Sequence, residues 1–175
     1  MAGSLVLLES ETASSSASVT LGTTNWDSSF DVYMVVIDKM IPASDAVEPR
    51  MRFTKTTDNS ADDSSNYDYA WEGLYAASTY YHAAQADDDH IQLGANLGTG
   101  GSECLNSIIY LFDFNGSSDY SFFTVEGVQL ANVQDLWGAQ GGGVLTVAQA
   151  TNGVEIYLSS GNIASGEFKL YGIKK

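Results

Sequence analysis

The stretch Gly153-Val-Glu-Ile-Tyr-Leu-Ser-Ser-Gly-Asn-Ile-Ala-Ser-Gly-Glu-Phe-Lys-Leu-Tyr-Gly-Ile-Lys-Lys175 decides the fold class. In its first half Val154, Ile156 and Leu158 alternate with Glu155 and Tyr157. In its second half Phe168 and Leu170 alternate with Glu167, Lys169 and Tyr171. A period of two places one apolar row of each segment on a core and leaves the other row toward water, which defines a half-buried strand. Between them Ser159 to Gly166 is rich in small, turn-competent residues, and Gly161, Asn162 and Gly166 tolerate the positive φ of a chain reversal. The stretch therefore reads as a β-hairpin, with its last arm paired deep in a sheet built by the preceding chain.

Working back toward the N-terminus, the same chemistry recurs. Leu5–Leu8 reads as a short strand, followed by a Ser/Thr/Ala-rich connection from Glu9 to Ser18 and a second strand around Val19–Leu21. Phe30–Ile41 is almost continuously apolar, with Val32, Tyr33, Val35, Val36 and Ile37, and reads as a central strand covered on both faces. Pro42 ends it, because proline cannot donate to a central ladder. Arg50–Phe53 alternates again, and Thr56–Asn66 is a polar, acidic loop whose composition predicts mobility.

Tyr67–Leu74 reads as an aromatic strand interrupted at Gly73, with a short helical turn over Ala76–Ala83 as the competing local reading. Leu105–Phe114 and Tyr120–Val128 form a pair joined by the Asn115-Gly-Ser-Ser reversal. Gln129–Gly143 reads as a long loop around Trp137, Val144–Ala148 as a strand, and Thr151-Asn152-Gly153 as a tight turn. About ten short strands without helical crossovers argue one all-β domain over residues 1–175, an antiparallel two-sheet β-sandwich of jelly-roll type. Its 175 residues suffice for a sizeable core without staples. Cys104 is the sole cysteine, so no intrachain disulfide forms, and its place at the head of an apolar strand predicts a packed thiol.

Charge narrows the partners. Twenty-two acidic residues against seven basic give a formal net charge of −15. Phosphate backbones and anionic lipid both repel such a chain, which argues against nucleic acid and membrane as partners. The segment Leu5–Leu8 is too short for a signal peptide or a membrane span, so synthesis in a cytoplasm is expected.

The residues offer little to catalysis. His82 and His90 are the two histidines, and neither lies near a Gly-x-Ser-x-Gly elbow or another recognisable nucleophile. The acidic groups Asp58/Asp62/Asp63 and Asp87/Asp88/Asp89 lack the alternating spacing and glycine bend of a calcium loop and read as solvated charge. Gly98–Gly101 and Gly141–Gly143 do not lead into a Lys-Ser or Lys-Thr helix, so they read as flexible connections rather than phosphate loops. No catalytic residue, metal ligand or cofactor is expected. Trp26, Trp71, Tyr80, Tyr81 and Trp137 lie in or beside loops, where such rings plug a core, fill an interface or stack on a ligand.

Three segments carry a resemblance: Gly3-Ser-Leu-Val-Leu-Leu-Glu-Ser-Glu-Thr-Ala-Ser-Ser-Ser-Ala-Ser-Val19; Phe30-Asp-Val-Tyr with Ile41-Pro-Ala-Ser; and Leu158-Ser-Ser-Gly-Asn-Ile-Ala-Ser-Gly-Glu-Phe-Lys-Leu-Tyr-Gly-Ile173. They resemble small virion structural proteins of tailed bacteriophages of aquatic bacteria, including cyanophages. The resemblance covers the first fifty and last twenty-five residues or so and leaves the middle unmatched. It implies a non-enzymatic protein on the particle surface, assembled in the host cytoplasm, with other copies of itself and capsid or tail proteins as partners. A tail fibre needs a particle-binding segment and a shaft, so the expectation favours a capsid decoration (cement) protein. The other reading is a tail-associated receptor-binding or carbohydrate-binding sandwich, with a host-surface glycan as its ligand.

Overall fold

The computed structural model describes residues 4–76 and 80–174. Twelve strands account for the fold: β1 (Leu5–Ser16), β2 (Ser18–Gly22), β3 (Val32–Pro42), β4 (Pro49–Lys55), β5 (Tyr67–Tyr75), β6 (Tyr80–Asp88), β7 (Ile91–Gln92), β8 (Leu105–Phe112), β9 (Ser121–Leu130), β10 (Leu136–Leu145), β11 (Thr151–Leu158) and β12 (Ile163–Ile173). Among the described residues one 3₁₀ turn, Thr23–Asn25, interrupts them. All pairings are antiparallel, in an eight-stranded sheet ordered β1-β12-β3-β8-β9-β10-β5-β6 and a four-stranded sheet ordered β2-β11-β4-β7.

Setting aside β5, β6, β9 and β10 leaves β1-β12-β3-β8 facing β2-β11-β4-β7, the two four-stranded sheets of a jelly roll. The remaining four strands arrive as two insertions, one between β4 and β7 and one between β8 and β11. They add to a single edge and double the width of the larger sheet. The molecule is thus an all-β antiparallel sandwich whose large sheet outgrows its small one.

The core is one apolar cluster. Tyr33, Phe53, Tyr67, Phe114, Phe168, Leu21, Met40 and Met51 are each less than 2% exposed. Phe53 is the hub, with ring centroids 4.7 Å from Phe114, 5.6 Å from Tyr67 and 6.1 Å from Phe123. Each fully buried ring of this kind contributes about 2–3 kcal/mol through the apolar surface it removes from water. Tyr67 keeps its polar tip satisfied: its hydroxyl donates to the Asp62 carbonyl at 2.9 Å and accepts from the Phe53 amide at 3.0 Å. Burial pushes its phenol far above the ordinary range.

The terminal stretch does not form a hairpin. Its two arms alternate as expected, but β11 pairs with β2 and β4 in the small sheet while β12 pairs with β1 and β3 in the large one. Residues 159–162 carry the chain across the sandwich. Gly161 at φ 71° supplies the left-handed turn. The link is tied to the segment joining β3 and β4 by Ala43 N donating to Asn162 O (2.8 Å), Ser159 N to Glu48 O (2.9 Å) and Glu48 N to Ser159 Oγ (3.0 Å). A period of two reports that one face is buried and is silent on the hydrogen-bonding partner.

Other local expectations change as well. The Ser/Thr/Ala-rich run after Leu8 continues as β1, a polar edge strand. The supposed loop Gln129–Gly143 is mostly the end of β9 and the body of β10, and Thr151–Gly153 opens β11 rather than turning. Gly141–Gly143 is therefore strand interior, not a flexible connection. A Cβ on Gly141 would lie 2.3 Å from the Ala70 carbonyl oxygen and 2.4 Å from Trp71 Cβ, so glycine lets β5 and its rings close onto β10. β5 runs through Gly73 without interruption, and the helical turn over Ala76–Ala83 is replaced from Tyr80 onward by β6, residues 77–79 lying outside the described set.

β3 is central but its second face is only partly covered: Met34 is buried, Val32 and Val36 are half-buried and Asp38 is exposed. The loop 56–66 is fastened by bonds from Lys55 N to Ser60 O (2.9 Å) and Asp62 N to Phe53 O (2.7 Å). Cys104 is half-buried, with the Asn106 side-chain amide 3.7 Å from its sulfur.

Candidate functional site: an aromatic cleft and an uncovered sheet face

The insertions create an aromatic cleft that a plain jelly roll lacks and widen the outer face of its large sheet. On the inner face of the large sheet, Tyr67, Tyr69, Trp71, Gly73 and Tyr75 share one side of β5, and pairing brings Trp137 opposite Tyr75 and Tyr81 opposite Gly73. Near Tyr67 this face lies against the core. Toward Tyr75 the rings gather in a cleft of about 300 Å³.

Four rings form one wall. Trp137 lies 4.8 Å from Tyr75, 5.2 Å from Tyr81 and 6.4 Å from Trp71, and Trp71 lies 5.6 Å from Tyr81. Gly73 allows this approach, since a Cβ there would sit 3.1 Å from the rings of both tryptophans. Trp71 is 4% exposed and Tyr81 48% exposed, so the wall runs from buried floor to open rim. The Trp71 indole N–H is buried with no partner among the described residues, a polar cost that phenylalanine would avoid. The Tyr75 hydroxyl donates to the Asp135 carboxylate, which holds that ring and raises its phenol above the usual range.

The facing wall carries neutral amides. Gln92, Asn96 and Asn132 line it together with Ala95, Ala131 and Val133. Its backbone is braced: Asn132 N donates to Asn96 O at 3.1 Å, Gln129 Nε2 to Ala95 O at 2.7 Å, and Leu97 bridges both Val47 and Ala131. Gln92 spends its side-chain N–H on Gly94 O at 2.8 Å. The side chains of Asn96 and Asn132 make no hydrogen bond among the described residues.

Of the five aromatic residues singled out by sequence, the cleft unites Trp71, Tyr81 and Trp137. Trp26 is elsewhere: it stacks on Tyr33 at 3.7 Å, lies 5.6 Å from Phe114 and donates its indole N–H to Asn115 Oδ1 at 2.9 Å. Tyr80, paired with Leu74, belongs to the opposite face and is 63% exposed. Tyr75 was missed, although its spacing from Trp71 places both on one strand face. Gln92 and Asn96, at and just after β7, are joined by Asn132 from the distant β9–β10 turn, and nothing in their local sequence marks them.

The second surface is the outer face of the large sheet. Here Leu5, Ile173, Val32, Phe112, Phe122 and Val144 stand side by side across six strands. Leu5 is 53% exposed and Phe122 44%. The neighbouring row continues with Leu7, Tyr171, Met34 and Tyr110. Further along lies a trough of about 690 Å³ lined by Leu74, Ile108 and Val128, with Asp38, Glu72, Glu126 and Lys169 as its charged residues. A solvated sheet face is ordinarily polar, so contiguous apolar rows of this kind mark a contact surface.

The acidic clusters read differently in three dimensions. His90 is 9% exposed and is held by carboxylates: Nε2 is 3.2 Å from Glu48, and Nδ1 is 2.7 Å from Asp89 and 3.0 Å from Asp88. Arg52 reaches Asp89 at 2.7 Å and Arg50 reaches Glu48 at 2.6 Å. The His90 hydrogen bond, helped by Arg52, keeps the Asp89 carboxyl below its usual range. The ligand atoms of Asp88, Asp89 and His90 lie within 4.8 Å of one another, but each has an internal partner. Asp58 and Asp62 each accept bonds from the serine two residues on, and Asp62, 5% exposed, also accepts from Gln149. His82 is exposed on β6, on an element separate from His90.

No protein-family model matches the sequence, and no curated protein matches it at a significant level. Among solved structures, a pilus of Bacillus endospore appendages aligns at 10% identity over 99% of this chain and 88% of that one, with a TM-score of 0.24. The CBM2 module of the evolved Dit of Lactobacillus casei BL23 phage J-1 aligns at 10% identity over 93% and 75%, with a TM-score of 0.25. VP2 of the infectious bursal disease virus subviral particle aligns at 11% identity over 98% and 41%, with a TM-score of 0.16. At these values the likenesses carry no functional argument.

Proposed function

We propose that the protein is a non-enzymatic structural component of a phage particle, a decoration protein that docks on the capsid shell through the outer face of its eight-stranded sheet. The observation that carries this reading is the apolar row from Leu5 to Val144 on a face that no other part of the described chain covers. Docking there removes apolar area from water, and many such contacts stabilise an assembled shell by mass action.

Charge favours a shell over a second free copy as the occupant. Asp38, Glu72 and Glu126 against Lys169 leave the trough net negative, and the chain as a whole carries −15. Two copies placed face to face would bring like charges together, whereas a shell surface with basic residues around an apolar strip would complement them. Co-sedimentation of the purified protein with shells lacking it tests the reading. The wild type is expected to bind saturably in many copies, and Phe122→Glu combined with Ile108→Glu to bind at least tenfold more weakly. Failure of the wild type to bind, or equal binding by the variant, would overturn it.

A further inference from the structure

We propose that the cleft between Trp71, Tyr81, Trp137 and the Asn96/Asn132 wall binds a single neutral pyranose unit of a glycan. This stands apart from the docking reading. The two surfaces occupy opposite faces of the same sheet, so a protein seated on its outer face keeps the cleft turned away from that contact.

Four properties select the ligand. The cleft is small: about 300 Å³ sits at the lower end of the range for small-molecule sites and suits one ring rather than an extended chain. Its apolar wall is made of aromatic faces, which pack against the C–H faces of a sugar. Its polar groups are amides, each offering donors and an acceptor, the pairing that hydroxyls require. No lining residue is charged, and Asp135 stands beside Tyr75 in a strongly acidic protein, which disfavours anionic sugars.

The site is also prepared before a ligand arrives. Trp71 and Trp137 are locked by Gly73 and by each other, Tyr75 by Asp135, and the amide wall by the Asn132–Asn96 and Gln129–Ala95 bonds. Ordering costs on binding are correspondingly small. Asn96 and Asn132 keep their side chains uncommitted within the described protein, at the place where a sugar would use them.

Calorimetric titration of the full chain with the methyl glycosides of glucose, galactose, mannose, rhamnose and N-acetylglucosamine is the test, with N-acetylneuraminic acid as the anionic arm and hexaproline as the peptide arm. Saturable binding of at least one neutral glycoside is expected, with a dissociation constant of about 1–10 mM, as befits one small ring. Tyr81→Ala should weaken it at least tenfold and Asn132→Ala should weaken it measurably. Tyr80→Ala, next in sequence but on the other face, should leave it unchanged. The proposal fails if no neutral glycoside binds, if the acidic sugar or hexaproline is preferred, or if Tyr80→Ala and Tyr81→Ala act alike.

Discussion

Two aromatic clusters in this molecule use the same residue types to opposite ends. In the first, Tyr33, Phe53 and Phe114 are fully buried under a half-buried Trp26 and the cluster is closed: Trp26 bonds to Asn115, and the Tyr33 hydroxyl lies 2.7 and 2.9 Å from the carbonyls of Asp27 and Phe30. In the second, Trp71, Tyr75, Tyr81 and Trp137 are open, with one indole N–H unpartnered among the described residues and Tyr81 nearly half exposed. The difference follows from topology. The first cluster lies within the jelly roll, and the second lies on the inserted strands, where short loops stand in for a facing sheet. Aromatic content alone therefore does not separate a core plug from a binding wall; the reach of the covering sheet does.

Mutations should reveal the same asymmetry. The largest loss of stability is expected at the closed cluster: Phe53→Ala should cost about 3–5 kcal/mol in denaturant unfolding, because the hub of the core leaves a cavity that the two sheets cannot collapse. Gly141→Ala comes next at about 1–3 kcal/mol, since its Cβ meets backbone and Trp71 Cβ rather than a flexible side-chain end. That variant also presses on the open cluster, so circular dichroism of the aromatic bands should change with it.

Asp62 provides a pH-dependent probe at the edge of the closed core. Burial opposes its ionised form, but bonds from Ser64 and Gln149 outweigh that and hold its carboxyl below the usual range. A depressed folded-state value contributes stability that is present above about pH 4 and is lost as pH falls through the folded value. Asp62→Asn should cost about 1–2 kcal/mol at pH 7 and flatten the acid limb of the stability profile. The smallest effect belongs to the open cluster: Tyr81→Ala should change stability by about 1 kcal/mol or less, as measured by thermal unfolding, while altering the cleft.

The all-β sandwich was legible because Val154/Ile156/Leu158, Tyr67/Tyr69/Trp71 and Leu105–Phe112 alternate or run apolar at strand length, and that signal is local. What escaped is long-range. Nothing within Gly153–Lys175 distinguishes two strands that pair with each other from two that face each other across a core. Gly141–Gly143 has the composition of a linker, and it takes the neighbouring strands, with Trp71 and Tyr69 on β5 and Phe123 on β9, to show why side chains are excluded there. The apolar surplus of β3 suggests full cover on both faces, whereas Val32 and Val36 stand half-buried in the outer rows. In the cleft, Trp71, Tyr81 and Trp137 stood out as loop-side aromatics, but their convergence depends on β10 lying between β9 and β5.

The most direct measurement of the central claim is a near-atomic image of the intact particle. The docking account predicts many symmetry-related copies on the head, each with the row Leu5–Ile173–Val32–Phe112–Phe122 against shell subunits and the aromatic cleft facing solvent. A handful of copies at the tail, or head copies with that row turned toward solvent, would contradict it.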